Sequence, residues 1–234
     1  MLYMVATPVG NLDDVSRRAL QTLQAADALA CEDTRRTRVL LERYAIPRPA
    51  QMFSYREGNE MRAGKRIVDC LGRGETVALC SDGGYPGISD PGYRLARMVL
   101  EHGFDFQVIP GPSAVPLALL SSGLPTSSYT FKGYPPRKPG PLRRFFEEEA
   151  DRPHTLVFFE SPFRVGRSLA AAAAVLGNRA AAVCLELTKK FERVHRGGLR
   201  DLAARFETEK IKGEATLVVA GANPKFDLDR EPRP

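Results

Sequence analysis

The fold is decided by residues 76–92, which read TVALCSDGGYPGISDPG. The first five residues are apolar and β-leaning, as in a buried strand. The next twelve hold four glycines and two prolines, and they predict a sharply turned loop at the carboxyl end of that strand. Open α/β sheets bind ligands at this end, where glycine lets backbone groups approach a small molecule. We therefore predict a ligand-binding loop in which Asp82 accepts a hydrogen bond. Asp90 is expected to cap the next helix, with Pro91 in its first turn. The alternative to a ligand-binding loop is a purely structural turn between the strand and the helix.

Predicted strands and helices alternate on both sides of this loop. In the first half of the chain, strands are predicted at 2–6, 28–31, 51–54, 76–80 and 106–109, and helices at 16–26, 34–44, 60–71 and 90–102. This alternation predicts an α/β domain with a largely parallel sheet.

A second set of elements follows the Pro-Gly-Pro sequence at 110–112. Strands are predicted at 128–132, 155–159, 182–187 and 216–220, and helices from 113 and at 143–150, 164–175 and 199–207. We therefore predict an α/β protein of two α/β domains, residues 1–112 and 113–222, with a ligand crevice between them. The polar, Pro-rich residues 223–234 are expected to form a flexible tail.

The composition favours a globular protein with an anionic partner. The 234-residue chain has a net charge of +6, and phosphate binding gains free energy from counterion release. No apolar run approaches the roughly 18 residues of a membrane span, and the N-terminus does not resemble a signal peptide, so we expect a cytoplasmic protein with no membrane partner. The four cysteines include no Cys-x-x-Cys pair and there are only three histidines, which predicts buried thiols and no metal site.

Other polar segments also follow predicted strands. Residues 110–114 (PGPSA) either present free helix amides to a carboxylate or form an interdomain hinge. Residues 31–38 (CEDTRRTR) either act on a polar substrate or cap a helix. Residues 135–144 (PPRKPGPLRR) contain four basic residues and no acidic one, so they form either a phosphate-binding segment or a solvated linker. The neighbouring Tyr134 is a candidate for stacking on a base. Polar segments at 160–164 and 186–189 lie at the ends of predicted strands, and the segment 212–216 precedes the last strand. Their shared position suggests one common cleft.

In their order and spacing, these segments resemble the bacterial 16S rRNA (cytidine-2′-O)-methyltransferases of the tetrapyrrole methylase fold group. The resemblance spans residues 1–221. It rests on ATPVGNL at 6–12, EDTR at 32–35, SDGG at 81–84, ISDPGYR at 88–94, PGPSA at 110–114, SGLPT at 122–126, ESPFR at 160–164, ELTK at 186–189 and KGE at 212–214. The EDTR segment is what most separates the RNA enzymes from porphyrinoid methylases with the same fold.

The resemblance implies two α/β domains of the class III methyltransferase type, S-adenosyl-L-methionine in a cleft between them, and a homodimer. Its implied substrate is a cytidine ribose of 16S rRNA within the small ribosomal subunit. The implied cofactor contacts are Pro8, Asp82, Gly83, Gly84, Pro86, Ile88, Ser113, Ala114, Pro162, Leu187, Gly213, Glu214 and Ala215. The predicted RNA contacts are Asn11, Glu32, Thr34, Arg35 and Arg36, together with the basic residues Arg137, Lys138, Arg143 and Arg144.

Methyl transfer to a ribose hydroxyl needs a general base or a nearby cation, because that hydroxyl is a poor acid. The candidates are Asp33, Glu32, Glu186 and Lys189. We place Asp33 first, since it lies in the EDTR segment, with Arg35 orienting it or binding a phosphate. Lys189 would need a lowered pKa to act as a base.

The chain departs from the family pattern at two places. GGYP at 83–86 replaces the usual AGTP, and the segment 55–60 replaces a His-rich one, which argues against a histidine base there. Two alternatives remain open. A porphyrinoid C-methyltransferase would need an apolar trough and no basic loop, and a non-enzymatic RNA-binding assembly protein would not bind S-adenosyl-L-methionine.

Overall fold

The computed structural model describes residues 1–229, which form two compact units. The first unit comprises Met1–Ser113 and the second begins at Ala114. No helix among the described residues is both long and apolar enough to cross a membrane.

The first unit is built on a five-stranded parallel sheet. Its strands are β1 Leu2–Val5, β2 Ala28–Cys31, β3 Gln51–Ser54, β4 Val77–Cys80 and β5 Phe106–Ile109, in the order β3-β2-β4-β1-β5. The register pairs Cys80 with both Val5 and Cys31, and it pairs Val5 with Ile109, so four strands end at one level. The polar loops that follow these strands therefore meet along one edge of the sheet, which confirms the predicted parallel arrangement.

Helices cover both faces of this sheet. α1 Arg17–Ala25 and α2 Thr34–Arg43 pack on one face, and α3 Glu60–Gly72 and α4 Tyr93–Glu101 pack on the other. The side chain of Asp33 accepts a hydrogen bond from the first-turn N–H of Arg35 at 2.8 Å and so caps α2. Because this cap follows β2 at once, the EDTR segment is held at the carboxyl edge of the sheet.

The prediction that Asp90 caps the fourth helix is wrong. α4 begins at Tyr93, and Gly92 occupies the N-cap position. The loop folds back on itself before the helix starts, and a Cβ atom on Gly92 would lie 2.6 Å from the backbone nitrogen of Gly87. This close return of the backbone delays the helix and places Pro91 outside it.

The second unit contains a mixed five-stranded sheet. Its strands are β6 Tyr129–Phe131, β7 Thr155–Glu160, β8 Ala180–Leu185, β9 Arg193–Gly198 and β10 Ala215–Val219, in the order β6-β7-β10-β8-β9. Only β6 and β7 run parallel, and the other neighbours are antiparallel. We did not predict β9, whose sequence RVHRGG lacks an apolar alternation because it forms the sheet edge.

Four helices flank the second sheet: α5 Ala114–Ser122, α6 Pro139–Glu147, α7 Val165–Leu176 and α8 Leu199–Thr208. α6, α7 and α8 pack over one face and α5 over the other. α6 starts four residues earlier than predicted, because Pro139 fits the first turn of a helix. The basic segment 135–144 is therefore only partly a loop.

The segment predicted as a flexible tail contains local structure as far as residue 229. Pro224–Phe226 form a 3-10 helix, Asp227 pairs with Arg179 in an isolated β-bridge, and Asp229 accepts a hydrogen bond from Arg200 at 2.9 Å. Residues 230–234 of the predicted tail lie outside the described residues.

Leu217 in the central strand β10 should contribute strongly to the stability of the second unit. Leu217 in β10 is fully buried, so Leu217→Ala should lower the free energy of unfolding by about 2–5 kcal/mol. Leu120→Ala removes the same atoms from a side chain that is 69% exposed, and it should change this free energy by less than about 0.5 kcal/mol. Urea unfolding of both variants tests the contribution of the buried Leu217 side chain. Equal losses of the free energy of unfolding in the two variants would contradict it.

Candidate active site

The loops after β1 and β4 are joined at the carboxyl edge of the first sheet. Thr7 and Gly84 exchange two backbone hydrogen bonds of 2.9 Å. The Thr7 hydroxyl also donates to the carbonyl oxygen of Ser81 at 3.1 Å. These bonds fix the glycine-rich turn against the segment that contains Pro8.

Asp82 links this glycine-rich turn to the loop after β2. Its Oδ1 accepts a hydrogen bond from the backbone N–H of Asp33 at 3.0 Å, and its Oδ2 lies 3.5 Å from Nε of Arg36. The Asp82 side chain is 23% exposed. A carboxylate that we selected as a ligand contact therefore also holds two loops together.

The loop after β5 lies beside the same turn. The backbone N–H of Gly111 donates to the Tyr85 hydroxyl at 3.1 Å. A Cβ atom on Gly111 would lie 3.0 Å from that of Ala6, so only a glycine passes this close without displacing the β1 loop. The segments after β1, β4 and β5 thus form one contiguous edge, with the β2 loop attached through Asp82.

This edge offers backbone groups rather than side chains to a small molecule. A Cβ atom on Gly83 would lie 3.3 Å from the carbonyl oxygen of Pro8, so any side chain there would enter the space between the two loops. Pro8, Gly84 and Pro86 are buried, and Ile88 is 49% exposed. This glycine-lined edge lets backbone groups approach a small molecule closely.

Glu32 and Asp33 differ in their electrostatic environments. Partial burial and the nearby charge of Asp82 raise the pKa of Glu32, and the backbone N–H of Asp82 offsets this only in part. The pKa of Asp33 lies far below its ordinary value, because the side chain and the backbone N–H of Arg35 donate hydrogen bonds to it. A stronger acid is a weaker base, so these contacts favour Glu32 over Asp33 as a proton acceptor.

In the second unit, antiparallel pairing collects three polar segments at one edge. The register pairs Ala215 with Glu160 on β7 and with Leu185 on β8. The start of β10 therefore lies between the ends of β7 and β8. This arrangement brings together Pro162, Leu187 and the segment 213–215, which were all predicted as cofactor contacts.

Glu186, Lys189 and Glu214 form a closed ionic cluster at this edge. Lys189 Nζ lies 2.9 Å from Oε1 of Glu186 and 3.0 Å from Oε2 of Glu214. Burial lowers the pKa of Lys189, but the two carboxylates outweigh it and the net shift is upward. Lys189 therefore lacks the lowered pKa that a basic role requires, and the structure disfavours it as the base.

Glu186 is also held in a structural role. Burial favours its neutral form, but the backbone N–H of Glu214 and the ammonium of Lys189 outweigh this effect and lower its pKa. Glu186 and Thr188 both adopt positive φ, which ends β8 at Leu185 rather than at the predicted residue 187. The carboxylate of Glu186 thus shapes the turn before Leu187.

A buried network fixes the basic segment of the second unit. Glu160, which is 2% exposed, accepts a hydrogen bond from the Ser168 hydroxyl, and its Oε2 lies 3.3 Å from Nη2 of Arg164. Arg164 also donates to the carbonyl oxygens of Pro135 and Pro136, each at 3.0 Å. The sequence predicts no role for Glu160 or Arg164 in the ESPFR segment, because it does not show that Arg164 reaches residues nearly thirty positions away.

Relatives of known name were found for nearly the whole chain. The profile of the "Tetrapyrrole (Corrin/Porphyrin) Methylases" matches residues 1–203. The "Ribosomal RNA small subunit methyltransferase I" of Mesorhizobium japonicum is 47% identical over 228 residues, covering 97% of this chain and 77% of the relative. The protein of the same name from Thermotoga maritima is 39% identical, covering 94% of this chain and 98% of the relative.

The chain belongs to the tetrapyrrole methylase family.

Within this family it groups with the proteins named ribosomal RNA small subunit methyltransferase I, and it is a methyltransferase. Among solved structures, the uroporphyrin-III-C-methyltransferase from Thermus thermophilus matches with a TM-score of 0.66 at 21% identity, covering 94% of this chain and 93% of that one. This likeness shows the fold. The predicted α/β class and the two-sheet tetrapyrrole methylase fold are therefore confirmed.

The predicted RNA-contact residues of this tetrapyrrole methylase fall into two groups. Arg35 and Arg36 lie at the start of α2, and each faces a carboxylate, Asp33 and Asp82 respectively. Glu32 and the exposed Asn11 lie in the loops after β2 and β1, and Thr34 is the first residue of α2. In the second unit, Arg137, Lys138, Arg143 and Arg144 are exposed, and Arg143 pairs with Glu147 at 2.7 Å.

Residues 1–229 contain no candidate metal site. No group of three or more His, Cys, Asp or Glu side chains there is placed to hold a metal ion. All four cysteine side chains are buried.

Gly213 should be required for the Glu186 cluster. Its φ is +87°, and a Cβ atom would overlap the Glu186 carboxylate. Gly213→Ala should therefore break the hydrogen bond of 2.8 Å that the backbone N–H of Glu214 donates to Glu186. Gly123→Ala is the matched control, because Gly123 also has positive φ but has open space around its Cβ position. The control should cost about 1–2 kcal/mol and Gly213→Ala more, as thermal unfolding would show. Equal costs would contradict a steric requirement at residue 213.

Proposed function

We propose that this protein transfers a methyl group from S-adenosyl-L-methionine to the 2′-hydroxyl of a cytidine ribose in 16S ribosomal RNA. The observation that carries this proposal is the identity of 47% over 97% of the chain to a protein named ribosomal RNA small subunit methyltransferase I. The solved uroporphyrin methylase shares only 21% identity and supports the fold alone. The substrate assignment therefore follows the sequence relatives rather than the structural ones.

S-adenosyl-L-methionine supplies an electrophilic methyl group on a sulfonium. In the first unit, we propose that Pro8, Asp82, Gly83, Gly84, Pro86, Ile88 and Ser113 contact it, since they lie on the glycine-lined edge described above. The Asp82 carboxylate keeps acceptor capacity for a hydroxyl or ammonium donor beyond its bonds to Asp33 and Arg36. Contacts from Ala114, Pro162, Leu187, Gly213, Glu214 and Ala215, and the location of the cofactor between the two domains, stay predictions.

We assign the proton acceptor to Glu32 rather than to Asp33. Glu32 has the raised pKa that a carboxylate base needs to hold a proton from a weak acid. Both carboxylate oxygens of Asp33 accept hydrogen bonds from the Arg35 guanidinium. Nε donates to Oδ1 at 3.0 Å and to Oδ2 at 3.2 Å, and Nη2 donates to Oδ2 at 2.6 Å. Asp33 then serves as a positioning residue that fixes Arg35 near the incoming phosphate backbone.

The exposed cations of both units would bind the anionic substrate. Arg35 and Arg36 follow the proposed base in the chain, and Arg137, Lys138 and Arg144 are exposed in the second unit. Phosphate contacts of this kind position an RNA chain without reading its sequence. A homodimer, the assembled small ribosomal subunit as the true substrate and a cytoplasmic location all belong to this proposal.

Labelled methyl transfer tests the proposed function. The protein is incubated with S-adenosyl-L-methionine carrying a labelled methyl group and small ribosomal subunits that lack this modification. We expect label in 2′-O-methylcytidine after nuclease digestion and mass spectrometry. Label on a base, or transfer to uroporphyrinogen in place of RNA, would contradict the proposal, and failure to bind the donor in calorimetry would indicate a non-enzymatic protein.

Substitution of the two adjacent acids separates the candidate bases. Glu32→Gln should lower kcat by about 10²–10⁴-fold, because the variant cannot accept the proton, while donor affinity stays unchanged. Asp33→Asn should act mainly on KM for RNA by loosening Arg35. A larger kcat loss in Asp33→Asn than in Glu32→Gln would restore Asp33 as the base.

The pH profile gives an independent check on Glu32. A base must be ionised, so kcat/KM should fall as the pH drops through the pKa of Glu32, which lies above the ordinary glutamate value of 4.5. The acid limb should therefore appear at a higher pH than an unperturbed carboxyl would give, and it should vanish in Glu32→Gln. An acid limb that persists unchanged in this variant would assign the titration to another group.

A further inference from the structure

A cavity of about 500 Å³ opens in the first unit beside the proposed active site. It is lined by residues 58–62, at the start of α3, and by Arg94 in the first turn of α4. None of these residues enters the proposed cofactor site or the cation groups described above. The volume lies within the range of small-molecule and nucleotide pockets.

The cavity is tied to the loop that carries Glu32. The Ser54 hydroxyl at the end of β3 donates to the carbonyl oxygen of Glu32 at 3.2 Å, and the N–H of Tyr55 donates to the carbonyl of Cys31 at 2.8 Å. The Asn59 side chain donates to the Ser54 carbonyl at 3.0 Å. The cavity wall and the proposed base therefore belong to neighbouring loops on the same edge of one sheet.

The cavity presents two guanidinium groups and one carboxylate. Arg94 lies 3.3 Å from Glu60 through Nη1 and is 68% exposed, so its other donors remain available. Arg62 is exposed and has no ion-pair partner among residues 1–229. The Glu60 side chain is only 14% exposed. A bare phosphate would meet repulsion from Glu60, whereas a ligand with both an anionic group and a hydrogen-bond donor would satisfy the whole set.

A buried hydroxyl accompanies Glu60. The Tyr55 side chain is 1% exposed, and its buried hydroxyl lies beside the Glu60 carboxylate and the backbone of Leu95. Burial and the charge of Glu60 raise the pKa of Tyr55 to about 12, so the phenol keeps its proton. The Glu60 side chain, which is 14% exposed, therefore lies between an exposed cation and a buried neutral hydroxyl.

We propose that this cavity takes a nucleotide of the RNA next to the methylated one, an inference that rests on the proposed function. Arg62 and Arg94 bind its phosphate, and Glu60 accepts a hydrogen bond from the exocyclic amine of its base. Carboxylates recognise the amine of cytosine in this way, and single-stranded RNA commonly presents unstacked bases to protein pockets. The pocket thus favours an amine-bearing base, cytosine or adenine, over uracil.

Arg94 and Arg97 provide a matched pair of variants on α4. Both side chains are exposed and each pairs with a glutamate, Arg94 with Glu60 and Arg97 with Glu101 at 3.1 Å, but only Arg94 lines the cavity. Loss of one phosphate contact should reduce the slope of log K against log salt by about 0.7 for single-stranded RNA. We expect this reduction and a several-fold weaker binding of oligocytidylate in Arg94→Ala and in Arg62→Ala, but not in Arg97→Ala. Affinity for S-adenosyl-L-methionine should be unchanged in all three.

Base preference tests the role of Glu60. Wild-type protein should bind oligocytidylate more tightly than oligouridylate, because the uracil carbonyl would face the carboxylate. Glu60→Gln, whose amide both donates and accepts, should reduce this preference towards unity without a loss of thermal stability.

Inorganic phosphate should not compete with oligocytidylate, whereas cytidine monophosphate should. Effective competition by phosphate alone would reduce the cavity to an anion site and overturn the nucleotide assignment.

The outcomes separate the two proposals. If the wild type methylates RNA but Arg94→Ala binds oligocytidylate like Arg97→Ala, the pocket is refuted and the proposed function stands. If Arg94→Ala binds RNA more weakly but the wild type transfers no methyl group to it, the pocket stands and the proposed function is refuted.

Discussion

The carboxylate of Asp82 is the contact on which the first unit's site depends. It ties the glycine-rich turn after β4 to the EDTR loop after β2, through the backbone N–H of Asp33 and the guanidinium of Arg36. The same charge raises the pKa of Glu32. One side chain therefore couples the geometry of the proposed cofactor edge to the basicity of the proposed proton acceptor.

The two sheets bring their polar loops together by different means. In the first unit, parallel strands end at one level, so that loops distant in sequence share an edge, and the Asp82 contacts and the Thr7–Gly84 pair then join these loops. In the second unit, the antiparallel strand β10 places its own start between the ends of β7 and β8. The glycine at 213 then lets the Glu186 carboxylate approach the backbone closely, and this closes the ionic cluster with Lys189.

Sequence patterns predicted the elements well where they depended on local periodicity and caps. The strands of the first sheet and a capped start of α2 follow from residue types alone. The failures came from a local return of the backbone, from a position at the sheet edge and from a proline that starts a helix. The return of Gly92 over Gly87 moved the start of α4, the edge position of β9 left no apolar alternation to detect, and Pro139 began α6 inside a segment that we interpreted as a loop.

The ranking of the candidate bases depends on side-chain contacts that the sequence does not display. The EDTR sequence places Glu32 and Asp33 side by side, and nothing in it distinguishes their basicity. The distinction comes from Arg35, which turns back onto Asp33, and from Asp82, which approaches Glu32 from a loop about fifty positions away. Likewise, the short spacing between Glu186 and Lys189 did not reveal that Glu214 would complete their cluster and raise the pKa of the lysine.

The pH dependence of kcat/KM in an Asp82→Ala variant tests this coupling most directly. Without the neighbouring charge, the acid limb due to Glu32 should move to lower pH. The plateau rate should also fall by about 100-fold, because the EDTR loop loses its anchor to the glycine-rich turn. A variant that folds normally and keeps both the rate and the position of the acid limb would contradict the account.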